Sequence, residues 1–411
     1  MSGPSTLPVT TVQPTFLEVI EEVRSGFVSS DTFWLSCYKS LEPSTHSKVR
    51  VTLDEVNRDV VHLEASGGVE IKDMGQDNYV VSKPGVPETK ILLPTHQYVD
   101  PTRANPQHPH RITAFDVAPD GSQFATGFLD GSVHIYETAM KNPPAETAFG
   151  KVHKSTTTSL QFFPSSRVVL SAGADFTLCI LPADPTPASS ALKPVRTLMG
   201  HRRSITSTAI VARGRNILSS SLDGTVRLWD VSSGEQINIL SAGGSRYSPV
   251  TCMSLGERAA STLPEGVAQN AAALDPREVE TGGKLLFCAL QTKSFEVFDL
   301  GARSAVLLAT GSSTGVVEVF DTRALGTPLT SFTRGEAGVA DLRFAEDGQR
   351  LLVSTDDGLP FVARISADQP ARVEAELIGA DCDPVRSIRV VGRDIWSAAD
   401  DGVVRRYGSA Y

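Results

Sequence analysis

The chain has 411 residues and carries 38 Lys and Arg against 47 Asp and Glu, a formal net charge of −9. That length suits a repeat domain of roughly 300 residues plus a smaller one, and the absence of any long Lys/Arg block argues against nucleic acid as the main ligand. The five cysteines, Cys37, Cys179, Cys252, Cys288 and Cys382, follow neither a metal-ligand spacing nor a disulfide framework. With no long apolar run, no signal-peptide core and no Asn-x-Ser/Thr acceptor, the expected location is the cytoplasm and nucleus, without membrane insertion.

Residues 1–107 read as a small α+β domain. Thr15 to Glu18 fits a capping box, and Phe16, Leu17, Ile20 and Val23 share one face of a short helix near 16–24. Strand-like runs follow at Thr32–Tyr38, Lys48–Leu53, Asp59–Ala65, Val69–Lys72 and Glu88–Pro94. Residues 108–411 are organised differently, around turn signals at Asp130-Gly131, Asp175, Asp223-Gly224, Thr314-Gly315, Asp357-Gly358 and Asp401-Gly402. Their intervals are 45, 48, 91, 43 and 44 residues, and 91 spans two periods, so a further repeat is hidden at Leu285–Leu300 with Lys293-Ser294 at its turn. Such a period belongs to stacked units that each bury a face against the next.

The best-formed unit is Gly200–Leu240, which opens on Gly-His, turns at Asp223-Gly224 and closes on Trp229-Asp230. This is the signature of a WD repeat, four strands to a propeller blade. His201, Ser219, Asp223 and Trp229 are the residues of a buried hydrogen-bond relay and read as scaffold, because buried polar groups need partners. Thr126, Ser171, Thr310 and Ser397 match Ser219, but only Trp229 fills the Trp position. The fold expected is an all-β, seven-bladed WD-repeat β-propeller with a degenerate fifth blade. Between Asp299 and Leu308 the chain is too short for both an outer and an inner strand, so that blade is expected to be incomplete or to borrow a strand from Gly256–Gly283. Tyr407 lies four residues from the last one, so the seventh blade needs an outer strand from the N-terminal region, and Lys90–Pro94 is the candidate that removes the open edges.

Catalytic patterns fail on context. Gly311 to Gly315 matches G-x-S-x-G, but a nucleophile elbow needs a helix after Ser313 and a strand, VVEVF, follows. His108-Pro109-His110 has no third ligand nearby, and no P-loop, HExxH or G-x-G-x-x-G is present. The expectation is a non-enzyme with neither metal nor cofactor.

Thr208–Asp230, Ile378–Tyr407, Thr32–Ser40 and Leu160–Asp175 resemble the proteasomal ATPase-associated factor family, the WD-repeat chaperones of the proteasome regulatory particle. The likeness runs from about residue 32 to the end and weakens between Leu255 and Ala309. It implies an assembly chaperone, monomeric when free, that binds the C-terminal domain of one AAA ATPase subunit of the base and delays its docking on the proteolytic core by steric occlusion. A WD-repeat substrate receptor or scaffold subunit of a ubiquitin ligase or other complex is the alternative.

Read without the family, one narrow face of the ring gathers charge. Asp356 and Asp400 precede the turns of blades six and seven, Glu336 lies in the loop entering blade six, and Asp381 and Asp383 in the loop entering blade seven. Lys154, Arg202 and Arg203 line the loops entering blades two and three. These eight residues are the candidate partner-binding set, the acidic sector for a basic helical surface and the basic sector for an acidic one. Solvated loop charge, with Asp383-Pro384 as a turn initiator, is the competing explanation.

Overall fold

The computed structural model describes residues 4–408, apart from 55–56, 58–59, 76–77, 101–109, 140–143, 185–190, 243–247, 258–274, 283, 293, 301–306, 322–326, 367–368 and 381. Apart from one helix, its regular elements are strands, and seven of its eight sheets are the blades of a β-propeller. The first three blades are complete four-stranded antiparallel meanders: Ile112 to Lys151, Thr157 to Met199 and Ile205 to Ser241. Their second strands are sandwiched between neighbouring blades, so Gln123–Phe128 and Asn216–Ser221 are buried at every residue. Close approach of the next blade explains Gly127, where a Cβ would stand 2.6 Å from Thr157 Cγ2, and Gly311 repeats this against Val339 at 2.5 Å.

Polar clasps join the blades at their inner strands. Thr113 Oγ1 donates to Thr157 O at 2.7 Å and Thr206 Oγ1 to Val250 O at 2.9 Å. Asp116 Oδ2 accepts from Phe162 N at 2.7 Å, and Asp341 Oδ2 from Ile388 N at 3.2 Å. Where blades six, seven and one meet, Arg389 donates from Nε to Asp116 (3.0 Å) and from Nη1 to Asp341 (2.6 Å).

Blades four and five are reduced. Blade four has three strands, Val250–Glu257, Lys284–Leu290 and Phe295–Asp299, and blade five keeps Leu307–Gly311, Val316–Asp321 and Thr330–Thr333. Among the described residues no strand fills the outermost place of blade four or the innermost place of blade five. Residues 301–306, where those two strands would fall, lie outside the described set. Blade five does gain a strand, but from Ser5–Thr6, which pairs in parallel with Phe332–Thr333 at the outer edge. The expected donor, Gly256–Gly283, has residues 258–274 and 283 outside the described set. Gly256 and Glu257 end the first strand of blade four, while the stretch at Arg277–Val279 packs on blade three, where Asn216 donates to Arg277 O (3.1 Å) and accepts from Val279 N (2.7 Å). The expected turn residue Lys293 also lies outside the described residues.

The N-terminal part is built on the antiparallel sheet Val9–Val12, Ser30–Tyr38, Thr45–Leu53 and Val61–Ala65. The helix Phe16–Arg24 buries Phe16, Val19, Ile20 and Val23 against Phe33, Leu35, Val49, Val51, Tyr79 and Ile91. The capping box does not form, because Thr15 makes no cap and its hydroxyl accepts from Gln13 Nε2 at 2.9 Å. Three further strands, Glu70–Asp73, Tyr79–Lys83 and Val86–Leu92, extend the sheet of blade six, whose own strands run from Val339 to Leu377.

The candidate ring-closing strand is corrected. Lys90, Ile91 and Leu92 pair in parallel with Ala375, Glu376 and Leu377 of blade six, not with blade seven. Pro94 has no N–H to continue a ladder, and the next run, His96–Val99, pairs antiparallel with Arg406 to Val403 as the outer strand of blade seven. Tyr98 anchors it, stacked on Trp396 at 5.6 Å and donating from its hydroxyl to Thr138 O in blade one at 2.7 Å.

Candidate partner-binding face

Blade three carries the full relay. His201 Nδ1 lies 2.9 Å from Asp223 Oδ2, His201 Nε2 lies 2.8 Å from Ser219 Oγ, and Trp229 Nε1 donates to the same hydroxyl at 2.9 Å. Burial alone pushes the Asp223 carboxyl up. Hydrogen bonds from His201, Thr225 and the Arg202 backbone N–H outweigh it and hold the group well below the usual carboxylate range. Blade two repeats three members, His153 between Asp175 (3.1 Å) and Ser171 (2.7 Å), with buried Leu181 in the Trp place. In blade one the relay does not pass through the Ser219 position, since the buried Thr126 hydroxyl there has no partner, and buried Tyr136 stands in the Trp place. The relay thus ties together the wall beneath a face formed by the adjoining loops.

On that face the pre-turn residues lie beside the loops entering their own blades. Asp356 N donates to Gly338 O and Asp400 N to Pro384 O, both at 2.9 Å. Glu336 is exposed, and so are Lys154, Arg202 and Arg203. Asp383 is half-buried, with its N–H donating to Ala380 O at 2.8 Å, and Asp381 lies outside the described residues.

Two of the expected carboxylates are already engaged. Arg386, at the start of the inner strand of blade seven, donates from Nη1 to Asp356 Oδ1 at 2.6 Å. It also donates from Nε and Nη2 to Asp400, at 3.1 and 2.8 Å. Asp400 is buried, with Arg111 3.8 Å away. The hydrogen bonds it donates to Asp400, and then the nearby charges of Asp400 and Asp356, push the Arg386 guanidinium further up. The acidic sector is therefore a neutralised clamp with Glu336 and Asp383 beside it. Sequence reading missed Arg386; its signal was an Arg two residues after Pro384, within reach of both pre-turn aspartates.

Among the described residues no three His, Cys, Asp or Glu side chains group as metal ligands, and no helix is long and apolar enough to cross a membrane. The arrangement is a rigid ring presenting loops of both charge signs, which defines a WD-repeat β-propeller protein. Comparison with known families agrees: residues 100–137 and 192–230 match the WD domain, G-beta repeat. The chain is similar to proteasomal ATPase-associated factor 1 of Homo sapiens, 30% identical over 149 residues, and to that of Bos taurus at 31%. Each match covers 32% of this chain and spans 36%, about a third, of the relative. It is also similar to the ribosome biogenesis protein WDR12 homolog of Arabidopsis thaliana, 27% identical over 46% of this chain and 49% of that protein.

Proposed function

We propose that this protein is a non-enzymatic assembly chaperone of the cytoplasm and nucleus. It binds the C-terminal domain of one AAA ATPase subunit of the proteasome regulatory particle base and holds it off the proteolytic core. The observation that carries this reading is the similarity to proteasomal ATPase-associated factor 1, on a propeller whose loop face exposes Glu336, Lys154, Arg202 and Arg203. The mechanism is occlusion: a propeller bound at the ATPase blocks docking while it stays bound, and release needs only a competing interface or a shift in the ATPase. Complementary charge on the rim sets register and association rate more than affinity.

The decisive test is capture on the full-length protein from lysate at low and moderate salt, followed by mass spectrometry. Base ATPases without proteolytic-core subunits support the reading. Cullin-type ligases or another assembly in their place overturn it in favour of a scaffold role, a reading that the similarity to the ribosome biogenesis protein keeps in view. The double variant Glu336→Lys with Asp383→Lys should lower ATPase association at least tenfold at low salt, and Arg202→Glu with Arg203→Glu should do so independently. Asp400 is unsuitable for this test, because its replacement strands Arg386 and disturbs the face itself.

A further inference from the structure

A cleft of about 970 Å³ opens where the N-terminal sheet meets blades six and seven. Its size is at the upper end of the roughly 300–1,000 Å³ of small-ligand sites, so it takes a run of side chains rather than one. The walls are mostly apolar and include Val12, Leu17 and Trp34 of the N-terminal sheet and helix and Leu93, Pro94 and Ile378 of the segments that follow Leu92 and Leu377. Two strands that end their sheets border it, Val9–Val12 through Thr10, Thr11 and Val12, and His96–Val99 through Gln97. Strand edges of this kind read an extended peptide through its main chain.

The charges in the cleft specify the ligand further. Glu376 is fully engaged, accepting from Arg334 Nη2 on both oxygens at 2.7 Å and from Thr10 N at 3.2 Å. Arg405 is not. Its side chain is 5% exposed, it pairs with Asp401 through Nη2, and its Nε and Nη1 are buried without a partner. Unsatisfied donors on a buried guanidinium are uncommon in folded proteins, and the group they fit best is a carboxylate oxygen.

We propose that this cleft binds an extended peptide segment of a partner protein in which an acidic residue, received by Arg405, is flanked by apolar side chains lying between Trp34 and Leu93. The site is separate from the charged loop face and does not depend on which assembly the protein serves. Trp34 is 44% exposed, while Trp229 and Trp396, the other two tryptophans, are buried, so intrinsic fluorescence reports occupancy at the cleft rim.

The test is selection of a random linear heptapeptide display library on the full-length protein, with the best peptide then titrated by Trp34 fluorescence. The expected result is enrichment of Asp or Glu between apolar residues, and at least tenfold weaker binding when that acid is replaced by its amide. Arg405→Met should weaken binding at least tenfold and remove the preference for acid over amide, and Trp34→Ala, at an exposed rim position, should weaken it with Arg405 intact, read by peptide anisotropy. Glu336→Lys should leave peptide binding unchanged, which separates this site from the loop face. Enrichment without an acidic position, or equal affinity of the acid and amide peptides, would overturn the proposal, as would octanoate quenching Trp34 as strongly as the peptides.

Discussion

Arg389 of the last blade donates from Nε to Asp116 of the first at 3.0 Å, across the seam where the ring closes. The same guanidinium reaches Asp341 of blade six at 2.6 Å and the Phe115 carbonyl at 2.9 Å, so one side chain ties three blades. Burial pushes the Asp116 carboxyl up, opposed by the Arg389 charge and the Phe162 N–H. Arg389→Met should therefore cost about 3 kcal/mol by urea denaturation. That is the low end for breaking a buried ion pair, because the partners keep 14–19% of their side-chain surface accessible. The loss should shrink as pH falls, since the abandoned Asp116 carboxyl, already pushed up by burial, can then take up a proton; a loss equal at pH 8 and pH 5 would contradict this.

Tyr98 holds the same seam from the outer edge. Tyr98→Ala removes a large buried ring and should cost about 3–5 kcal/mol, freeing the His96–Val99 strand to limited proteolysis ahead of global unfolding. Tyr98→Phe keeps the stacking on Trp396 and loses the bond to Thr138 O, so it should cost about 1 kcal/mol. Equal protease sensitivity in the two variants would show that ring closure does not rest on this side chain.

The relay predicts opposite responses at matched positions. Ser219→Ala leaves His201 Nε2 and Trp229 Nε1 without their shared partner, and the melting temperature should fall by an amount corresponding to about 2–4 kcal/mol. Thr126→Val at the matching place in blade one removes a hydroxyl that has no partner, and stability should be unchanged or slightly raised.

The turn spacing and the Gly200–Leu240 unit made the propeller legible, because each blade is a local meander whose turns and alternation lie within some forty residues. The closing strand was not legible in the same way. KILLP and HQYV are both short and partly apolar, and the choice between them is made by strands roughly 300 residues away in the chain: Leu377 takes Leu92, and Val404 takes Tyr98. The loop face was half legible. The sequence shows that Asp356 and Asp400 precede their turns, but their neutralisation depends on Arg386 reaching across two blades. Blade five was expected to be deficient from the count of residues, yet nothing local marks Ser5–Thr6 as the strand that joins it.

His153 gives the fold a pH dependence in blade two. Burial disfavours its imidazolium and lowers its pKa from 6.5, with Asp175 opposing only in part. A lowered folded value means that, as pH falls below 6.5, the unfolded chain takes up a proton that the folded blade resists. This contribution to stability is therefore complete above pH 6.5 and declines as pH falls towards the folded pKa, by at most about 1.4 kcal/mol per pH unit. In His153→Gln the component is absent. Its urea midpoint should start lower at pH 7.5, because the bonds to Asp175 and Ser171 are weakened, but should fall less steeply below pH 6.5 than that of the parent. Parallel midpoint curves for the two proteins would mean that His153 is protonated equally in both states.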